Sequence, residues 1–284
     1  PGTAALVPLI RASGGGVLWR CHTGSDRHTD ETTQAWRFLQ PFVSAAHQIV
    51  VNRRTFLPTF LSDPRVSIIA PSIDPHATRN LPLSVEDARA TLARVGVLEG
   101  DRDLARTYPS EDTGSTVLPR DDVMDGPPLP AGARLVVQIG EWTERSDMAG
   151  VLRGFAHHTA ATEDVHLILC GSRRMADEDR ESRAVLSDCI ALRDALPPEK
   201  RARVHIMGLP HHDDDVAAHV VNALQVAAEV VVQKSRTEGF SITVAEAMWK
   251  SRPIVASAVG GIRSPIADHR AGPPLGQPHH PPRL

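Results

Sequence analysis

The chain has no long apolar run. Nothing in its 284 residues approaches the roughly 18 to 20 consecutive apolar residues that a membrane-spanning helix requires. The opening residues also lack the charged segment and apolar stretch of a secretory leader. No membrane partner is expected, and the cytoplasm is the expected location. Cysteine is scarce: Cys21, Cys170 and Cys189 stand far apart with no metal-type spacing, which argues against a disulfide framework or a zinc knuckle. Each is expected to be a small buried apolar residue. An excess of one charge is missing too. The 31 Lys and Arg against 34 Asp and Glu leave a net charge of −3, which gives no general attraction to nucleic acid or to an anionic surface. Lysine is nearly absent, with Lys200, Lys234 and Lys250 the three present. No internal repeat of fixed period is visible.

What is present is an ordinary globular composition, 41% hydrophobic and 23% charged, in a chain long enough for two domains or parts of two. Short β-branched runs occur at 17–21, 48–52, 65–70, 134–140, 165–171, 203–208, 229–234 and 253–258. They are nearly continuously apolar rather than alternating, the mark of strands buried on both faces in a parallel sheet. Helix-length stretches with three- and four-residue apolar spacing lie between them, such as DMAGVLRGFAHHTA, EDRESRAVLSDCIALRDAL and DDDVAAHVVNALQVAAE. The order βαβαβαβαβ from 134 to 258 predicts an α/β fold, a doubly wound parallel sheet with right-handed crossovers. Ligands of such sheets bind outside the carboxyl ends of the strands.

Residues 1–80 carry fewer strands and read as the back part of a similar domain. Residues 81–133 read as a connecting helix, opened by an N-cap serine at 84 and closed by Gly96, followed by a polar Gly- and Pro-rich linker. Residues 134–262 form the second sheet domain. Residues 263–284 are proline-rich, which prevents a regular helix, and are expected to be disordered.

The stretch EGFSITVAEAMWK, 238–250, sets Glu238 on a glycine turn after an apolar strand and Glu246 eight positions later in a helix. Gly239 permits close backbone approach. The helix beginning near Ser241 directs unpaired amides and its positive end toward the same place, where a phosphate is favoured. Two acceptors flanking such a helix start suit a sugar nucleotide. Spacing alone leaves a second reading open, in which Glu238 complements the helix dipole and Glu246 faces solvent.

Glu238 to Glu246 also resembles the Glu-x7-Glu motif of retaining glycosyltransferases with two Rossmann-like domains, the GT-B type. The longer stretch VVQKSRTEGFSITVAEAMWKSRPIVASAVGGI, 231–262, resembles the trehalose synthase branch, as do WRCH (19–22), PSIDP (71–75), DMAGVLRGF (147–155) and HLILCG (166–171). The resemblance implies two doubly wound domains, the N-terminal one incomplete. It implies transfer of glucose from a nucleoside diphosphate (NDP) glucose to glucose with retention, giving α,α-trehalose, with no cofactor and no obligatory metal. Glu238 would contact the donor glucose, with Gly239, Phe240 and Ser241 beside it, and Glu246 would hold the ribose. Lys234 would help with the phosphate, and Gly260 and Gly261 would belong to the donor-side loop. His22 would face the transferred sugar or the acceptor, although a histidine after a strand is often structural.

The pattern departs in one place. The resemblance puts an arginine just after the first strand of the donor domain and a lysine five residues later; those positions here are Glu141 and Ser146. Arg145 is the neighbouring cation that could substitute, and a catalytically dead remnant is the alternative. The chain opens on Pro1, the resemblance implies a front domain without its first strands and glycine-rich loop, and the likeness ends at Ile262. A truncated member is therefore expected, whose uncovered apolar surface would favour association, for instance as a homodimer. HHDDD at 211–215 reads as the acidic start of a helix rather than a metal site.

Overall fold

A computed structural model describes residues 2–58, 61, 64–100, 124, 126–159, 164–209 and 214–263. The linker from 101 to 123, His211 to Asp213 and the proline-rich tail lie outside the described residues. The chain divides into two compact units. The first runs through Ser72 and takes in Thr237–Ile242 and the stretch from Ala258; the second holds Ile73–Arg236 and Thr243–Ser257.

The first unit is built on a parallel sheet of β1 (Leu18–Cys21), β2 (Gln48–Val51) and β3 (Val66–Ile68), in that order. Two helices accompany it, α1 (Val7–Ala12) and α2 (Asp30–Val43). Thr29 starts α2 by accepting from the Thr32 amide while the Thr32 hydroxyl accepts from the Thr29 amide, a reciprocal cap that satisfies two otherwise orphaned donors. Trp36 of α2 meets Trp19 of β1 edge to face, ring centroids 6.3 Å apart. That pair anchors a core with Val43, Ile49 and Val51.

The second unit opens with α3 (Val85–Arg94), whose N-cap Ser84 accepts from the Asp87 amide at 3.0 Å. Its five parallel strands are β4 (Arg134–Ile139), β5 (Val165–Ser172), β6 (Val204–Leu209), β7 (Ala228–Gln233) and β8 (Ile254–Ala256), in the order β6-β5-β4-β7-β8. In domain terms this is 3-2-1-4-5, the mononucleotide-binding order of doubly wound sheets. The crossovers carry α4 (Met148–His158), α5 (Arg173–Glu178), α6 (Arg180–Asp194), α7 (Pro198–Arg201), α8 (Asp214–Ala227) and α9 (Ile242–Trp249).

The central strand β5 is nearly continuously apolar because both its faces are covered, whereas the short β1, β3 and β8 expose Leu18, Ile68 and Val255. Along β5, Leu167 and Leu169 pack with Met148, Leu152 and Cys189 of α4 and α6. The alternate residues Ile168 and Cys170 pack with Leu92, Val221 and Leu224 of α3 and α8. All eight strands fall where the sequence puts them. The helix expected over 178–196 is α6, started where the Asp179 side chain accepts from the Ser182 amide at 2.8 Å, and the short α5 before it was not foreseen. All three cysteines are buried. Burial pushes the Cys170 thiol up to about 12 and the Cys189 thiol to about 11, so both are inert. Among the described residues no helix is long and apolar enough to cross a membrane.

Candidate functional site

In this strand order the topological switch point lies between β4 and β7, and a crevice there is where doubly wound sheets take their ligands. The segments leaving those two strands are stitched together. The Lys234 amide donates to Gln138 Oε1 at 3.1 Å, and Gln138 Nε2 donates to the Ser146 carbonyl at 2.7 Å. The Arg236 amide donates to the Arg145 carbonyl at 2.8 Å. Gln138 is fully buried, so its two bonds fix both segments at once.

On this frame stand two ion-pair systems. Asp147, 7% exposed, receives Lys234 Nζ on Oδ2 and Arg236 on Oδ1, the latter at 3.2 Å. Burial pushes its carboxyl pKa up, but the bonds and charges of Lys234 and Arg236 more than offset this and hold it below the usual carboxylate range. Asp147 has the N-cap position of α4 yet makes no capping bond; its backbone is left-handed, φ 48° and ψ 43°, a conformation that strains a non-glycine residue. Gly150 leaves room for the carboxylate, since a Cβ there would lie 2.5 Å from Oδ2. Glu141 instead pairs with Arg145 at 3.1 Å on the surface, their side chains 50% and 65% exposed.

Glu246 does not face solvent: it is 1% exposed. Gln225 Nε2 donates to its Oε2 at 3.2 Å, and Arg79 stands 3.9 Å from its Oε1. Lys250, just past the end of α9, donates to Gln225 Oε1 at 2.7 Å and Asn80 Oδ1 at 3.3 Å. Burial lowers the Lys250 ammonium to about 8, against the upward pull of Glu246. This network overturns the solvent-facing alternative for Glu246.

The first unit holds the remaining candidates. Its carboxyl strand ends meet the 238–240 turn and the 260–261 turn almost backbone to backbone. The Gly261 amide donates to the Glu238 carbonyl at 2.8 Å. A Cβ at Gly260 would overlap that same carbonyl, and Gly260 has φ +46°. A Cβ at Gly239 would lie 2.9 Å from the His22 carbonyl oxygen. Asn52, at the end of β2, donates to the His22 carbonyl at 2.8 Å and to the Gly239 carbonyl at 3.4 Å, and Asp26 accepts from the Gly260 amide at 2.9 Å. The structure thus brings His22, Glu238, Gly239, Gly260 and Gly261 to one crossing, with the His22 side chain exposed and Phe240 half-buried beside it. Ser241 is buried, at 3% exposure.

Sequence reasoning missed Asp147, Arg236, Asn52 and the Arg79–Gln225–Lys250 network. Two of these carry a signal. Arg236 is two residues after Lys234, the same-side spacing of extended chain, and Lys250 is four after Glu246, one helical turn. The left-handed backbone of Asp147 leaves no trace in the sequence. A cavity of about 530 Å³ between α4 and α6 also touches Asp147 and Arg236. Four carboxylates, Glu144, Asp147, Glu181 and Asp188, line it against two arginines, Arg153 and Arg236, so it repels an anion.

Comparisons with known proteins fit this geometry. The family model described as glycosyl transferases group 1 matches residues 133–283, running past Ile262. A trehalose synthase of Rubrobacter xylanophilus is 28% identical over 260 residues, 89% of this chain and 52% of the relative. One from Thermococcus litoralis is 27% identical over 255 residues, 90% and 51% of the two chains. The chain therefore spans about half the length of the curated relatives it matches. Among solved structures, trehalose-6-phosphate synthase OtsA superposes with a TM-score of 0.63 at 9% identity, over 93% of this chain and 57% of that one. The Anabaena protein HepE in complex with UDP-glucose gives 0.59 at 16%, over 90% and 57%. These structures share the GT-B fold.

Proposed function

The chain belongs to the glycosyl transferases of group 1, and from that premise we propose that it moves glucose from an NDP-glucose to glucose with retention, forming α,α-trehalose. The trehalose synthases it is similar to support the substrate pair. The observation that carries the reading is the paired cations, Lys234 and Arg236, set at the end of β7 beside the switch point. A leaving diphosphate needs positive charge that is in place before the bond breaks, and these two supply it.

In this reading the Glu238 carboxylate takes the hydroxyls of the transferred glucose, and the amides of Gly239 and Phe240 donate to it. Glu246 holds the ribose with the acceptor positions that Gln225 and Arg79 leave, since a carboxylate has about four, and at 1% exposure it does so once the side chains over it give way. His22, with its exposed ring, orients the acceptor. Ser241, Gly260 and Gly261 shape the donor-side turns. Retention requires the acceptor oxygen to arrive on the face the diphosphate leaves, so the same cations guide both events. The chemistry asks for no metal or cofactor if side-chain cations neutralise the diphosphate, and no nucleic acid or membrane takes part.

A second reading has its own observation: Glu141 puts a carboxylate at the end of β4 and engages Arg145. Under it the chain binds a sugar nucleotide without turning it over. Calorimetric titration with ADP-, UDP- and GDP-glucose, followed by an assay for trehalose and its anomeric configuration, separates the two. Micromolar binding of one donor with α,α-product supports transfer. Binding without product leaves the second reading. No heat at millimolar donor from a folded chain sinks both.

A further inference from the structure

We propose that Arg236 is a diphosphate-binding cation of this chain, and that Asp147 is the positioning residue that holds Arg236 and Lys234 for the task. The inference deepens the donor-binding reading above and rests on it for the identity of the anion.

Two arginines compete for the role left open by Glu141 and Ser146. Arg145 is the neighbour in sequence, but its guanidinium lies on the Glu141 carboxylate at 3.1 Å, so the pair offers no net charge. Arg236 shares a single carboxylate with Lys234, so that group of three keeps one net positive charge. An ammonium has three donors and a guanidinium five. With side chains 50% and 59% exposed, Lys234 and Arg236 keep donors facing solvent after Asp147 is satisfied.

Asp147 is built for this purpose rather than for its helix. A residue at an N-cap ordinarily turns its side chain to the amides of its own first turn. Asp147 makes no such bond, adopts a left-handed backbone, and gives each oxygen to a different cation. Gly150 is the space that permits it. The amide bonds from Lys234 to Gln138 and from Arg236 to Arg145 fix the backbone at both roots, and the ion pairs with Asp147 restrain the ends of the two side chains. Strain kept at one residue while its neighbours over-determine it is typical of a binding site. The acidic cavity between α4 and α6 leaves the strand-end side as the approach for an anion.

The test is calorimetric titration of the full chain and its variants with inorganic pyrophosphate and with ADP, UDP and GDP. R236A should weaken pyrophosphate about 10- to 100-fold, the loss of one charge-assisted contact, and lower the salt dependence of binding. R236K should restore part of it. R145A should cost less than R236A. D147N decides the positioning role, because it adds net positive charge while releasing both cations. Weaker binding by a variant whose melting temperature shows it folded is the expected result; tighter binding would show that Asp147 only neutralises charge and would overturn its role. Unchanged affinity in R236A, or the larger loss in R145A, overturns the assignment of Arg236. If pyrophosphate binds through Arg236 and no NDP-glucose binds, the donor reading fails and this one stands. If no phosphate compound binds at all, both fail.

Discussion

The two units place their candidate residues by opposite means. In the first, the turns at 22–24, 238–240 and 260–261 are packed backbone against backbone, and glycine is what lets them meet. In the second, the ends of β4 and β7 are joined through side chains: Gln138, Asp147, Lys234 and Arg236. The first arrangement is steric, so it is all or none and indifferent to salt. The second is electrostatic, so it is graded and responds to pH and ionic strength.

The steric crossing should break hardest. Gly260 has φ +46° and no room for a Cβ against the Glu238 carbonyl, so G260A combines left-handed strain with a backbone clash. The expected cost is about 3 kcal/mol or more, read as a fall in the denaturant midpoint that is the same at low and high salt. Asn52→Ala, which removes only the bonds to His22 and Gly239, should cost about 1 to 2 kcal/mol. If G260A were as mild as Asn52→Ala, the crossing would be adaptable and the contrast with the charged corner would dissolve.

Acid should act on the second unit next. His166 and His205 sit on β5 and β6 with ring nitrogens 3.1 Å apart, and Asp164 stands 3.3 Å from the far nitrogen of His166. Burial, the neighbouring His166 and Arg193 lower His205 to about 3. His166 is lowered as well, by burial and Arg203 against the raising effect of Asp164. The unfolded chain therefore binds more protons, and the stability these neutral rings allow is present above about pH 6.5 and lost as pH falls. The expected slope from His205 is about 1.4 kcal/mol per pH unit between about 6.5 and 3, and His205→Gln should flatten it. An unchanged slope would mean that the pair is hydrated in solution.

How much of this was legible follows the same division. The eight strands could be read because each is a short β-branched apolar run, which the sequence shows even where one face stays open, as at Val255 of β8. The helix α2 could not, since DETTQAWRFLQPFV contains an internal proline, Pro41, and is capped by a threonine pair rather than by the more familiar glutamate. Gly239, Gly260 and Gly261 were visible as glycines at strand ends, although the partner each one touches was not. Asp147 looked like an ordinary first residue of a helix, and only its backbone angle shows that it serves Lys234 and Arg236. Glu246 was visible as a carboxylate, whereas its burial depends on Gln225 and Arg79, which are remote in sequence.

Asp147 itself links the acid response to the charged corner. Its carboxyl is held below the usual range, so its contribution is present above the unfolded value near 3.9 and is lost as pH falls through the folded one. Because both partners are more than half accessible or close to it, screening reduces that contribution to about 1 kcal/mol. It should appear as extra acid sensitivity below pH 4 that D147N lacks and that half-molar salt diminishes.

The smallest change in stability should accompany an informative change in binding. Glu141 and Arg145 form an exposed pair, and such pairs are worth about 0 to 1 kcal/mol, so E141Q should leave the denaturant midpoint almost where it was. Yet Glu141 follows β4 at the switch point, where its charge opposes an arriving diphosphate and occupies a guanidinium. Removing that charge relieves a repulsion of about 1 kcal/mol at a few ångströms in water, roughly a fivefold gain in pyrophosphate affinity, and the gain should shrink in high salt. If E141Q gains nothing while R236A still loses, Glu141 lies outside the reach of the anion, and its presence no longer counts against transfer. If both are silent, neither pair serves the anion and the charged corner is structural, as the glycine crossing is.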